Sequence, residues 1–120
     1  MFISIGTIVV EDNFRVALEV DKELVRYYLS FVPKHLIFNK PKFSPHITIV
    51  RGKFEVPNKD CLFLNGRQIE FSYSNQLKMN SKYLWIPAYS EELQEIRSDL
   101  GLDWCYDKEK GFHITIGNFK

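Results

Sequence analysis

His46-Ile47-Thr48-Ile49 returns unchanged as His113-Ile114-Thr115-Ile116 in a chain of 120 residues. An identical second copy of four residues arises by chance on the order of once in a few thousand such chains. In each copy His and Thr alternate with Ile, the two-residue period of a strand with one buried face. The imidazole and hydroxyl therefore share one face, and the isoleucines go to the other. Two such strands would present two imidazoles and two hydroxyls to one symmetric acid–base site.

The residues upstream of each copy also match. In the first half Phe2–Val10 alternates like a strand, and Glu11-Asp12-Asn13 reads as a polar turn. Phe14–Val20 follows as a second strand, with Val16, Leu18 and Val20 on one side. Asp21 is the N-cap expected for a helix carrying Leu24, Tyr28, Phe31 and Val32, which Pro33 ends. In the second half Gln68–Ser74 alternates, and Tyr83–Tyr89 reads as a strand in which Pro87 suits an edge or a bulge. Ser90 then caps a helix with Glu91 and Glu92 in its first turn, Leu93, Ile96 and Leu100 inside, and Gly101 at its end.

The two helix starts, Asp21-Lys22-Glu23-Leu24 and Ser90-Glu91-Glu92-Leu93, lie 69 residues apart, and the two histidines 67. A cap followed by Glu and Leu is a common helix start and carries little alone. Placed the same way before two identical tetrapeptides, it predicts an α+β fold built as a pseudo-two-fold duplication. Two antiparallel sheets are expected to face a central cleft, with helices on the outer faces. A single domain covers 1–120, its lobes drawn over roughly 1–50 together with the second-motif strand, and over 68–112. Arg51–Arg67 is read as the connection, with a turn at Pro57-Asn58-Lys59-Asp60, another at Asn65-Gly66 and room for a strand between.

Composition narrows the partners. Sixteen Lys and Arg against fifteen Asp and Glu leave a formal charge of +1, without the basic surplus of a nonspecific duplex-DNA binder. An anionic ligand must therefore be held locally. Cys61 and Cys105 lack CxxC spacing and read as buried, reduced thiols. The apolar N-terminal run is too short to span a bilayer. The expectation is a cytoplasmic protein (host cytoplasm if viral), with no membrane partner and no obligate protein partner evident.

Histidine titrates near neutrality, so one ring can deprotonate a nucleophile while the other protonates a leaving oxygen. Hydroxyls on the same face can donate to non-bridging phosphoryl oxygens. Phosphodiester cleavage needs these three functions, and no metal or other cofactor is then required. No close-spaced His or Cys pair suggests zinc. Nothing marks Ser44 as a nucleophile, and His35 lies in a polar loop without a repeat partner.

Here the chain resembles the 2H phosphoesterases, a family named for two His-apolar-Ser/Thr-apolar motifs. His46 with Thr48 and His113 with Thr115 match both motifs, and Tyr83-Leu84-Trp85-Ile86 before the Leu93 helix is similar to the unit preceding the family's second motif. The resemblance implies a two-lobed fold, those four residues as the catalytic site and metal-independent cleavage of a ribonucleotide phosphodiester. Family members act on 2′,3′-cyclic phosphates, on 2′,5′-linked RNA and, among small phage enzymes, on cyclic oligonucleotide immune signals. The expected partner is a nucleotide or short RNA. A non-cleaving module that binds a nucleotide or RNA end, and an RNA 2′,5′-ligase, stand as alternatives.

Substrate contacts are expected from rings and cations near the motifs. Trp85, Tyr83, Trp104, Tyr106 and Phe119 are candidates to stack on a base, with core packing as the competing role. Arg51 and Lys53 after the first motif, and Asn118 and Lys120 after the second, could meet phosphate or simply be solvated. Lys34, Lys40 and Lys42, with Phe38 and Phe43, make the loop before His46 a candidate lid.

Overall fold

A computed structural model describes residues 1–11, 15–32, 44–52 and 54–119, together with the backbone of 38–39. In chain order the elements are β1 (Phe2–Val10), β2 (Arg15–Glu19), α1 (Lys22–Leu29), β3 (Phe38–Asn39), β4 (His46–Arg51), β5 (Gln68–Tyr73), β6 (Lys78–Met79), β7 (Tyr83–Tyr89), α2 (Glu91–Asp99) and β8 (His113–Phe119). Leu62–Leu64 forms a 3-10 turn. The fold is mixed α+β.

The strands form one antiparallel sheet in the order β3-β8-β4-β2-β1-β5-β7-β6, and an added β7–β8 pairing closes the order on itself. Two separate sheets were expected. The halves are instead hydrogen-bonded at both seams: β1 pairs with β5 from Phe2↔Tyr73 to Thr7↔Gln68, and β4 pairs with β8 at Ile47↔Ile114.

The ladders inside the two halves match residue for residue. On β2 and β4, Glu19 opposes His46, Leu18 opposes Ile47 and Ala17 opposes Thr48; the register then shifts so that Val16 opposes Val50. On β7 and β8, Pro87 opposes His113, Ile86 opposes Ile114 and Trp85 opposes Thr115; the register then shifts so that Leu84 opposes Gly117. Each ladder thus bulges at the last isoleucine of its motif. A bulge leaves one residue unpaired and bends the strand, and both halves bend directly after the Thr.

The isoleucine face is the core. Ile47, Ile49, Ile114 and Ile116 are fully buried, beside Leu18, Ile69, Ile86 and Leu93. Each such side chain contributes about 1.5–3 kcal/mol relative to exposure. Helix α1 reaches β8 and α2 reaches β4 and β5, so each helix contacts a strand from the other half.

Both expected caps form: Asp21 accepts from the Glu23 N–H at 2.9 Å, and Ser90 Oγ from the Leu93 N–H at 3.2 Å. Helix α1 stops short of Phe31 and Val32, because Ser30, Phe31 and Val32 tighten into i→i−3 bonds to Tyr27, Tyr28 and Leu29. Helix α2 ends where Gly101 takes φ 76°, a left-handed conformation that favours glycine. Pro87 sits neither at an edge nor at the bulge. Its carbonyl accepts from the Ser74 N–H, on the side where β6 pairing gives way to β5 pairing. N–H and C=O of a strand residue point the same way, so the missing N–H breaks no bond to β8.

Arg97 on α2, 0% exposed, ties this scaffold together. Its Nη1 donates to the Ile49 carbonyl at 2.6 Å and to Glu55 Oε1 at 2.9 Å, Nη2 to Glu55 Oε2 at 2.6 Å, and Nε to the Asp103 carbonyl at 2.6 Å. Ile49 is the residue the β2–β4 bulge leaves without a register partner. Burial alone would raise the Glu55 pKa, but the Arg97 and Arg51 N–H donors and the Arg97 charge outweigh it and hold the carboxyl below its ordinary range. Arg97→Ala, which leaves the partly buried Glu55 carboxylate and the Ile49 and Asp103 carbonyls without their donor, is predicted to cost about 3–5 kcal/mol in urea unfolding. Ser90→Ala should cost about 1 kcal/mol. An Arg97→Ala cost no larger than that of Ser90→Ala would show that the pair does not carry the load assigned to it.

Candidate active site

The site is built on the ends of the two motif strands. Continuing the Ile47↔Ile114 register by one residue each way sets His46 across from Thr115 and Thr48 across from His113. The four side chains share the face opposite the buried isoleucines.

Each histidine is the first residue of its strand and folds back on the turn before it. His46 Nδ1 lies 2.8 Å from the Ser44 carbonyl, and His113 Nδ1 lies 2.9 Å from the Gly111 carbonyl. A carbonyl only accepts, so Nδ1 carries the proton in both rings and the Nε2 lone pair is left for chemistry. Arg15 Nη2 approaches His46 Nε2 at 3.1 Å, and the Tyr106 hydroxyl approaches His113 Nε2 at 3.3 Å.

Burial pushes both imidazole pKa values down from the ordinary 6.5. The backbone carbonyl opposes this in each case. Arg15 lowers His46 further, while Glu11 and Glu19 raise it. Lys110 and His46 lower His113, while Asp107 raises it. Burial raises the Tyr106 pKa, which the facing Thr48 hydroxyl partly offsets, so the phenol stays protonated at neutral pH.

A cavity of about 610 Å³ opens on these groups. It is lined by His46, Thr48, His113 and Thr115 with Arg15, Arg51, Tyr83, Tyr106, Asp107, Lys108 and Lys110. Four cations therefore face one carboxylate, which supplies the local positive field that the net charge does not. Lys110 pairs with Asp107 at 3.0 Å and lies over the rings of Tyr83 at 4.8 Å and Trp85 at 5.4 Å. The Arg51 guanidinium lies 4.8 Å from the Phe54 ring centroid and 5.9 Å from that of Tyr106.

All four motif residues, with Arg51 and Tyr83, line this cavity. Tyr83 is 40% exposed and can meet a ligand, whereas Trp85 is 6% exposed, lies under Lys110 and does not line the cavity. Phe119 ends β8, six residues beyond His113, roughly 20 Å away at the usual strand rise, and is not in the lining. Trp104 packs edge-on against Phe112, also away from the cavity. Lys42, Lys53, Lys120, His35 and the lid residues Lys34, Lys40 and Phe43 lie outside the described residues, as do the side chains of β3.

Arg15, Asp107, Lys108 and Lys110 were not anticipated. Arg15 was within reach: the alternation that turns Val16, Leu18 and Val20 inward puts Arg15, Ala17 and Glu19 on the histidine face. Asp107–Lys110 is a turn held by Asp107 Oδ1 accepting from the Glu109 and Lys110 N–H groups, and it carries no periodic signal. Among the described residues, no group of three or more His, Cys, Asp or Glu side chains is placed to hold a metal. No described helix is long and apolar enough to cross a membrane. No family model, curated protein or solved structure matches the chain.

A folded-state pKa below 6.5 means each histidine contributes stability that is full above its unfolded value and is lost as pH falls through the folded one. The urea midpoint is therefore predicted to drop between about pH 7.5 and about pH 5. The drop should shrink in the His46→Gln/His113→Gln double variant. An equal drop in the double variant would place the titrating groups elsewhere.

Proposed function

We propose that this chain is a 2H-type phosphoesterase that cleaves a ribonucleotide phosphodiester by two-histidine acid–base catalysis, without a metal. The observation that supports it most is the doubled geometry: two imidazoles, His113 buried and His46 half-buried, each fixed through Nδ1 by the carbonyl two residues earlier, each turning Nε2 to one cationic cavity. A histidine kept only for packing has no need of that orientation twice.

The matched ladders, matched bulges and matched caps also support a duplicated fold with the site in a cleft between the halves. In this reading one Nε2 takes the proton of a 2′-hydroxyl or water as it attacks phosphorus, and the other ring, protonated, gives its proton to the leaving oxygen. Thr48 and Thr115 donate to the non-bridging oxygens, where negative charge grows. Arg15, Arg51 and Lys110 hold phosphate, and Tyr83 offers a ring to a base. The substrate class is a cyclic oligonucleotide signal or an RNA-type 2′,3′-cyclic or 2′,5′-linked phosphodiester, in the cytoplasm of the cell or of a virus's host.

The test is a panel assay in EDTA with 3′,3′-cyclic dinucleotides, cyclic trinucleotides, 2′,3′-cyclic mononucleotides and 2′,5′-oligoadenylates, resolved by mass. At least one should be cleaved, and His46→Ala or His113→Ala should each lower its kcat by about 10²–10⁴-fold. Thr48→Val and Thr115→Val should cost about 10²–10³-fold. Tight binding with no product after long incubation would favour the sequestering module instead.

A further inference from the structure

The doubled ladders make the two motifs equivalent in backbone, but their Nε2 atoms meet different chemistry. At His46 the neighbour is the Arg15 guanidinium, 3.1 Å away. Guanidinium has only donors and stays charged, so this contact is a hydrogen bond only while Nε2 keeps its lone pair. Protonating His46 would set N–H against N–H and add a second positive charge. Glu19 on β2 lies directly opposite His46 on β4, and the carboxylate of Glu11 is engaged by Arg15 at 2.8 Å. At His113 the neighbour is the Tyr106 hydroxyl, 3.3 Å away. A hydroxyl both donates and accepts, so by rotating it keeps its bond whether or not Nε2 is protonated. Asp107 adds negative charge near His113, against Lys110 and His46.

We propose that this difference assigns the roles: His46 is the base and His113 the acid, because Arg15 donates to the unprotonated Nε2 of one ring while the Tyr106 oxygen can accept a hydrogen bond from the protonated Nε2 of the other. The assignment rests on the phosphodiesterase reading and divides the labour within it. An incoming phosphate is a bidentate acceptor for Arg15, so substrate draws the guanidinium off Nε2 and frees the lone pair as the nucleophile arrives. For 2′-hydroxyl attack, the O2′–H proton passes to His46 Nε2 as the O2′–P bond forms. The P–O5′ bond breaks, and O5′ takes the proton from His113 Nε2. A 2′,3′-cyclic phosphate and a 5′-hydroxyl leave, and exchange with solvent returns both rings to their starting states. Arg15 positions His46 in the free protein and binds phosphate once substrate arrives, and Tyr106 is a positioning residue for His113.

A leaving group that needs no proton separates acid from base. Wild type, His46→Ala and His113→Ala are compared on a 3′,5′-ribodinucleotide and on a ribonucleoside 3′-(4-nitrophenyl phosphate), whose nitrophenolate departs unprotonated. On the dinucleotide both variants should lose at least about 100-fold in kcat/KM. On the aryl ester His113→Ala should stay within about tenfold of wild type, while His46→Ala keeps its loss of about 100-fold. His46→Asn and His113→Asn, which keep a polar side chain on each strand, should split the same way. Rescue of the His46 variants, or equal loss by both on the aryl ester, overturns the assignment while leaving the phosphodiesterase reading intact. A wild-type protein inactive on both probes and on the wider panel overturns that reading, and the assignment with it.

Discussion

The Ile47↔Ile114 pair is the constraint on which the rest depends. It is the point where the two motif strands meet, and a strand's period of two makes its consequences strict. A slip of one residue would turn the His and Thr of the slipped strand into the core and bring its isoleucines out. Burying four isoleucines fixes this register, so the hydrophobic effect on one face positions the polar groups on the other. The bulges after Thr48 and Thr115 add curvature at the same place in both halves. Arg97 then receives the Ile49 carbonyl displaced by one bulge and anchors it to Glu55 and to the segment that leads to Tyr106.

Much of this was legible from residue pattern alone. Alternation found β1, β2, β4, β5 and β8, because each turns an apolar face to the core and period two survives in the sequence; Tyr83–Tyr89 was also read as a strand, although β7 is buried on both faces from Leu84 to Ala88. Asp21, Ser90 and Gly101 marked helix ends for local reasons that tertiary structure did not override. The two-residue strands β3 and β6 are too short to show a period. The joining of the halves into one sheet was not legible either, since edge-to-edge pairing of β1 with β5 leaves no mark on either strand's own pattern. Pro87 misled for a related reason: its missing N–H matters only relative to neighbours that the sequence does not name.

The site divides along the same line. His46, Thr48, His113 and Thr115 were readable because a repeat is visible without any structure. Tyr83 and Arg51 followed from strand faces and proximity to a motif. Trp85 shares its face with Tyr83, yet Lys110 covers it, and only the fold brings Lys110 there. Arg15 sits in plain alternation, but its value comes from the imidazole 31 residues away. The features that distinguish the two rings, Arg15 at one and Tyr106 at the other, lie outside the repeated tetrapeptides: Arg15 is on β2, where the matching position of β7 is Tyr83, and Tyr106 is in the loop before His113.

If two histidines share acid and base work on one phosphodiester, the pH dependence of kcat/KM on a cleaved member of the panel carries the signature of both. A bell is predicted, its acidic limb from protonating the base and its alkaline limb from deprotonating the acid. Because burial lowers both rings in the free protein, both midpoints should lie below the ordinary histidine value of 6.5. A rate that instead climbs steadily with pH, without an alkaline limb, would mean that no protonated imidazole takes part, and would contradict the account.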